Sequence, residues 1–186
     1  MNLEMLRESL ENATVIKRGE YDYFVHPLTD GIERIEPELL REVARAIDEL
    51  SGREYDRIVT IEAMGLPVAT ALSLLVDKPY TIIRKRRYGL EGEVEVVQRT
   101  GYSENRLYVN GLKKGDRILL LDVVISTGGT LRSVISALNG IDCTITDVVA
   151  VIEKNGETKE KLETEFGIKI KTLVKIGIEK GKVRIL

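Results

Sequence analysis

Cysteine is almost missing from this chain. The single Cys143 among 186 residues excludes an intrachain disulfide and leaves too few thiolates for a sulfur-bound metal, so a reducing, cytoplasmic setting is expected. Long apolar runs are missing too, and nothing approaches a membrane span. The opening residues, "MNLEMLRESLENATV", are charged throughout and lack the apolar stretch of a signal peptide. No sign of charge dominates: 28 Lys and Arg face 30 Asp and Glu, for a net charge of -2. That gives no global field to draw in nucleic acid or an anionic membrane, and neither is an expected partner. What remains is a soluble globular composition, 43% hydrophobic and 31% charged, long enough for one domain with a substantial core.

The apolar pattern divides the chain into short elements. Leu3, Leu6 and Leu10 mark an amphipathic helix over 3–11. "YDYFVHPL" (21–28) is aromatic and β-branched and ends in a "TDG" turn at 29–31. The segment 36–50 carries one apolar stripe behind Pro37 and predicts a strong helix. Strands are expected at 57–63, 79–85, 117–122 and 145–153, with helices at 68–76, 130–138 and 157–166, and a closing strand pair near 169–176 and 182–186. A charged, glycine-containing stretch, 86–109, has hairpin character. Alternation of strand and helix from residue 57 onward predicts an α/β fold with a mainly parallel sheet flanked by helices. Ligands of such sheets gather at the carboxyl ends of the strands, so the loops 62–66, 84–88 and 122–130 should converge.

Each loop has a chemical reading and an ordinary one. In "LLLDVVISTGGT" (119–130), Gly128 and Gly129 admit backbone N–H groups to an anion. Ser126, Thr127 and Thr130 add hydroxyls, and the next helix points its positive end the same way. A capped strand–turn–helix joint would use the same residues. No Lys follows the glycines, so this is not a Walker loop. In "IEAMGLP" (61–67), Glu62, Ala63, Met64 and Gly65 either present N–H groups or simply open a helix. In "IIRKRRYG" (82–89), Arg84, Lys85, Arg86 and Arg87 form a basic run that by itself reads as a solvated face. Its position at a strand end, in step with two other loops, favours an anionic ligand.

Together these stretches resemble the type I phosphoribosyltransferases, most nearly the archaeal hypoxanthine/guanine group, with likeness to the xanthine and adenine enzymes. The resemblance spans roughly residues 20–186. It implies one domain over 1–186, with a small hood built from 1–35 and 170–186 and a flexible loop at 86–108. By this resemblance Asp122, at a strand end, grips the ribose of phosphoribosyl diphosphate (PRPP), makes the indirect metal contact and is the catalytic residue. Ser126, Thr127, Gly128, Gly129 and Thr130 hold the 5′-phosphate. Glu62, Ala63, Met64, Gly65, Arg84 and Lys85 meet the diphosphate, while Arg86, Arg87 and Tyr88, with Tyr102, belong to the closing loop. Lys154, from "IEK", matches the lysine that donates to a purine 6-oxo group, and Phe24 and Val25 are hood contacts to the base. The lone His26 is read as structural rather than functional. The resemblance further implies Mg²⁺ bound with PRPP, a homodimer, and transfer of phosphoribose to a 6-oxopurine.

One position departs from the family pattern. Where two adjacent acids are usual, Asp122 is followed by Val123. Loss of one carboxylate removes acceptors for a ribose hydroxyl and weakens the outer grip on Mg²⁺, at about 1.5–3 kcal/mol for one charged hydrogen bond. Two alternatives therefore stand beside the salvage enzyme. One is a non-catalytic or weakly active binder of PRPP or nucleotide; the other is a transferase of different base preference.

Overall fold

The computed structural model describes residues 2–99, 104–154 and 156–186. The chain opens with α1 (Glu4–Glu11), whose Leu6 and Leu10 are buried. The N–H groups of Met5 and Leu6 in its first turn donate to the carboxylate of Glu42, a favourable place for an acid. A hairpin follows, β1 (Thr14–Arg18) paired antiparallel with β2 (Tyr21–Val25). Its first strand went unpredicted, because "TVIKR" is largely exposed and lacks an apolar face. The "TDG" turn is in fact the end of a one-turn helix, α2 (Pro27–Asp30). Pro27 fits the first helical position, and His26 caps it by accepting the Leu28 N–H at Nδ1. α3 (Pro37–Leu50) then buries Leu39, Val43, Ala44, Ala46 and Ile47 along one stripe.

The central layer is a six-stranded sheet. It comprises β3 (Arg57–Ile61), β4 (Tyr80–Ile83), β7 (Arg117–Ile125), β8 (Thr144–Lys154), β9 (Ile170–Glu179) and β10 (Lys182–Ile185). Their order is β10-β9-β8-β7-β3-β4, parallel except where β10 returns antiparallel on β9. Between β4 and β7 lies a separate antiparallel hairpin, β5 (Val94–Arg99) with β6 (Glu104–Val109). Helices α4 (Gly65–Val76), α5 (Gly129–Gly140) and α6 (Glu157–Phe166) complete the crossovers. The mainly parallel α/β sheet is as expected. The apolar runs of β7 and β8 follow from burial on both faces.

Strand alternation assigns β7 to two cores. Leu119, Leu121 and Val123 face the cluster formed with α1, α3, α4 and the hood, whereas Ile118 and Leu120 face the one formed with α5 and the β5–β6 hairpin; beyond Val123 the alternation breaks, with Val124 against the first cluster and Ile125 in the second. β7 also runs three residues beyond the predicted end at Asp122, because Val124 and Ile125 continue the ladder against Ile152 and Glu153. Within 86–108, Val96 and Leu107 of the β5–β6 hairpin are buried in the α5-side core, while residues 86–93 lead into it without a regular element. Tyr102 lies outside the described residues. Among the described residues no helix is long and apolar enough to cross a membrane.

Candidate active site

The carboxyl edge of the parallel strands opens into a cavity of about 430 Å³, within the range of small-molecule sites. All three expected loops reach it. Glu62, Ala63, Met64 and Gly65 line it after β3, Lys85 after β4, and Asp122, Ser126 and Thr130 around the end of β7. Phe24 and Lys154 line the hood side. Thr127, Gly128 and Gly129 instead line an adjoining recess of about 220 Å³ that shares Asp122, Ser126 and Thr130 with the larger space.

That recess sits at the start of α5. The first N–H bonded within the helix is that of Arg132, to the Gly128 carbonyl at 2.9 Å. The preceding N–H groups and the positive end of the helix dipole therefore face the recess. Gly128 has φ 75°, and a Cβ there would stand 2.5 Å from Thr158 Cγ2, so both backbone and space demand glycine. A small anion fits such a place on physical grounds.

The loop after β3 is braced from below. Thr60 is buried and donates from Oγ1 to the Leu121 carbonyl at 3.0 Å, linking β3 to β7. A Cβ at Gly65 would overlap that hydroxyl. The Glu62 carboxylate accepts from Arg84 Nε and, at 2.7 Å, from the Lys85 N–H. Glu62 is thus a strut between the ends of β3 and β4. It neutralises Arg84 and leaves Lys85 as the cavity's cation on this side. Val25, Arg84, Arg86, Arg87 and Tyr88 are not cavity-lining: Val25 pairs with Thr14 in the hood hairpin, Arg86 stacks over Tyr88, and Arg87 pairs with Glu93.

Asp122 stands differently. Its Oδ1 accepts the Val123 N–H at 2.7 Å, and among the described residues no cation pairs with it. Burial pushes its carboxyl up to about 6, against the opposing pull of the Val123 and Val124 N–H groups. Among the described residues no cluster of three or more His, Cys, Asp or Glu is placed to hold a metal. A hard cation whose ligands are mainly phosphate oxygens suits this donor set, with Asp122 as the one uncommitted acid.

The hood side holds residues that sequence reasoning missed. Lys154 is 5% exposed; its Nζ donates to the Asp22 carbonyl at 2.6 Å and lies 3.7 Å from the Tyr21 ring centroid. The Tyr21 hydroxyl is 2.9 Å from Ser126 Oγ, so one tyrosine spans from the lysine to the loop before α5. Tyr23, Thr29, Asn105 and Leu107 also line the cavity. The alternation of Tyr21 and Tyr23 on one face of β2 was the available signal. It was overlooked because the hood was read from Phe24 and Val25. His26 is fully buried and neutral, its pKa pulled down to about 4 by burial against the opposing effect of Asp30. With Nδ1 accepting from Leu28, Nε2 donates to Ser9 Oγ at 2.9 Å, a structural part outside the cavity.

A parallel sheet whose carboxyl edge gathers a helix-N-terminal recess, a backbone loop and two lysines defines an α/β protein with a small-molecule cavity suited to an anion. The phosphoribosyl transferase domain family matches residues 31–179, and the chain belongs to that family. A Methanocaldococcus infernus protein named hypoxanthine/guanine phosphoribosyltransferase is 57% identical over 181 residues, covering 97% of this chain and 98% of its own. One of the same name from Methanotorris igneus is 52% identical over 183 residues, covering 98% and 100%. Among solved structures, adenine phosphoribosyltransferase from Leishmania donovani superposes with a TM-score of 0.75 at 17% identity, over 92% of this chain and 78% of that one. The enzyme of the same name from Thermoanaerobacter pseudethanolicus gives 0.75 at 17%, over 94% and 99%. These structures are similar in fold.

Proposed function

We propose that this chain is a purine salvage enzyme that transfers phosphoribose from PRPP to a 6-oxopurine, hypoxanthine or guanine, releasing diphosphate. The observation that carries the reading is a cavity lined by the 62–65 loop, Lys85, Asp122 and Lys154, with the α5 recess adjoining it through Asp122, Ser126 and Thr130. The near full-length relatives named for this activity support it.

The residues suggest a division of labour. The 5′-phosphate sits at Ser126–Thr130 on the α5 N-terminus, and the diphosphate meets the 62–65 backbone and Lys85. Asp122 faces the ribose between them. Mg²⁺ bound through diphosphate oxygens would neutralise the leaving group, with Asp122 as its outer protein partner. The bond from the ribose anomeric carbon to diphosphate breaks as purine N9 bonds to that carbon. The protein's task is to hold both ends in line and exclude water, not to supply a nucleophile. Lys154 is an ammonium, a donor only, and suits a 6-oxo oxygen rather than the adenine amino group.

A homodimer in the cytoplasm is part of the proposal. Twelve residues of α4, "GLPVATALSLLV", contain no charge, and Leu74 and Leu75 are 82% and 46% exposed. A second copy of the chain is the occupant proposed for that face, and sedimentation velocity of wild type against a Leu74→Lys, Leu75→Lys variant tests it. Activity is tested with PRPP and Mg²⁺ against hypoxanthine, guanine, xanthine, adenine and orotate, following nucleotide formation. Turnover with hypoxanthine and guanine is expected. PRPP binding with no product from any base would refute the enzyme and leave a binder.

A further inference from the structure

We infer that Tyr23 and Thr29, fixed by Asp30, form an acceptor wall that reads the N1–H of a 6-oxopurine beside the oxygen taken by Lys154. This rests on the salvage reading above.

The Tyr23 hydroxyl donates to Asp30 Oδ1 at 2.5 Å. Thr29 Oγ1 is 2.5 Å from Asp30 Oδ2 and 3.2 Å from the His26 carbonyl, and either contact consumes its only proton. The His26 N–H adds a third bond to Asp30 Oδ2 at 3.1 Å. Burial alone would raise the Asp30 carboxyl. Hydrogen bonds from Thr29, Tyr23 and the His26 N–H outweigh it and hold Asp30 below the ordinary value, hence ionised. Burial and the Asp30 hydrogen bond together push Tyr23 up to about 12. Tyr23 therefore keeps its proton and points it at the Asp30 carboxylate.

A hydroxyl owns one donor and two acceptor sites. With both donors turned inward, Tyr23 and Thr29, which both line the cavity, can offer it only acceptors. Lys154 offers only donors and meets the hood at the Asp22 carbonyl, one residue before Tyr23. A donor side and an acceptor side thus line one cavity. Hypoxanthine and guanine present the complementary order, an oxo acceptor next to an N1–H donor. Adenine presents the reverse, an amino donor next to a bare nitrogen. Adenine would leave lone pair facing lone pair at Tyr23 and donor facing donor at Lys154. Sites that hydrogen-bond a substrate group reject its opposite more strongly than apolar pockets reject a difference in size.

Sequence order hides this arrangement, since neither an aromatic strand nor a "TDG" turn suggests a pinned acceptor. Val123 supplies the apolar neighbour on the same side of β7, and α2 packs against that strand.

The test compares wild type with Tyr23→Phe, Thr29→Val and Asp30→Asn. It measures kcat/KM for hypoxanthine and adenine, and calorimetric Kd for IMP and AMP. Tyr23→Phe should lower hypoxanthine kcat/KM roughly ten- to a hundredfold while that for adenine rises, because the lone pair that opposes its bare nitrogen is gone. Asp30→Asn frees the hydroxyls to donate and should narrow the hypoxanthine-to-adenine ratio at least tenfold, with the IMP and AMP affinities converging. Thr29→Val, the mildest change, guards against loss of the hood. Equal losses for both bases, or an unchanged ratio in a folded variant, would overturn the acceptor wall and leave the salvage reading intact. A wild type that uses no 6-oxopurine would overturn both.

Discussion

Replacing Asp122 by Asn should stabilise the protein at pH 8 while weakening its function. The carboxyl is raised from 3.8 to about 6 in the folded chain, chiefly by burial. Below pH 3.8 the group is neutral in both states and adds nothing. As pH rises from 3.8 to about 6 the unfolded chain ionises while the folded, half-buried carboxyl resists, so stability is lost across that window and the full cost is in place above it. A shift of about two units corresponds to about 3 kcal/mol at full ionisation. An Asn oxygen can still accept the Val123 N–H, but its amide donors lie buried without a designed partner, which costs about 1–2 kcal/mol. The net gain at pH 8 is therefore about 1–2 kcal/mol, or roughly 2–8 °C in Tm for a chain of this size. At pH 4 the gain disappears and the variant should be slightly less stable. His26 titrates over an overlapping range with the opposite sign, so the variant is compared with wild type at each pH, where that contribution cancels. Thermal melts at fixed protein concentration, at pH 4, 6 and 8, measure the difference. A displacement independent of pH, or a destabilised variant at pH 8, would refute the buried-charge reasoning. Turnover should fall roughly ten- to a hundredfold in the same variant, because the acid that has no cation partner among the described residues of the cavity is gone.

Other substitutions test the remaining supports. Val123→Asp places a carboxylate at a position 3% exposed, against Leu119 and Leu121. It should cost about 2–4 kcal/mol in urea unfolding without improving PRPP affinity, and tighter PRPP binding would show that an acid at this edge of the cavity reaches the substrate. Gly128→Ala forces a side chain into φ 75° and onto Thr158; PRPP Kd should rise at least tenfold in calorimetry, while an unaffected Kd would remove the recess from the 5′-phosphate site. Glu62→Ala removes the strut and should raise the PRPP KM about tenfold, with Glu62→Gln recovering part of it through the retained acceptor for the Lys85 N–H. His26 is neutral when folded, so wild type should lose about 3 kcal/mol from this residue as pH falls from 6.5 to 4. His26→Asn should flatten the acid limb of the stability profile, and an unchanged limb would contradict the burial argument.

Sequence by itself determined the α/β class, the three loops and the residues of the recess, because each rests on local chemistry. Apolar runs of two-sided burial, glycines in a strand-to-helix turn and cations at a strand end are all written in consecutive residues. It also singled out Val123, though only as a missing acid. Tertiary structure decided what that position does: Val123 packs in the hood-side core and also lines the cavity beside Asp122 as an apolar neighbour. Structure likewise decided that Glu62 braces Arg84 and Lys85, that Lys154 rests on Tyr21 and Asp22, and that β7 continues past Asp122 because β8 continues beside it. These are contacts between residues 22 to 133 positions apart. No local pattern encodes them, since a side chain's partner across the sheet or under the hood is set by how the layers pack.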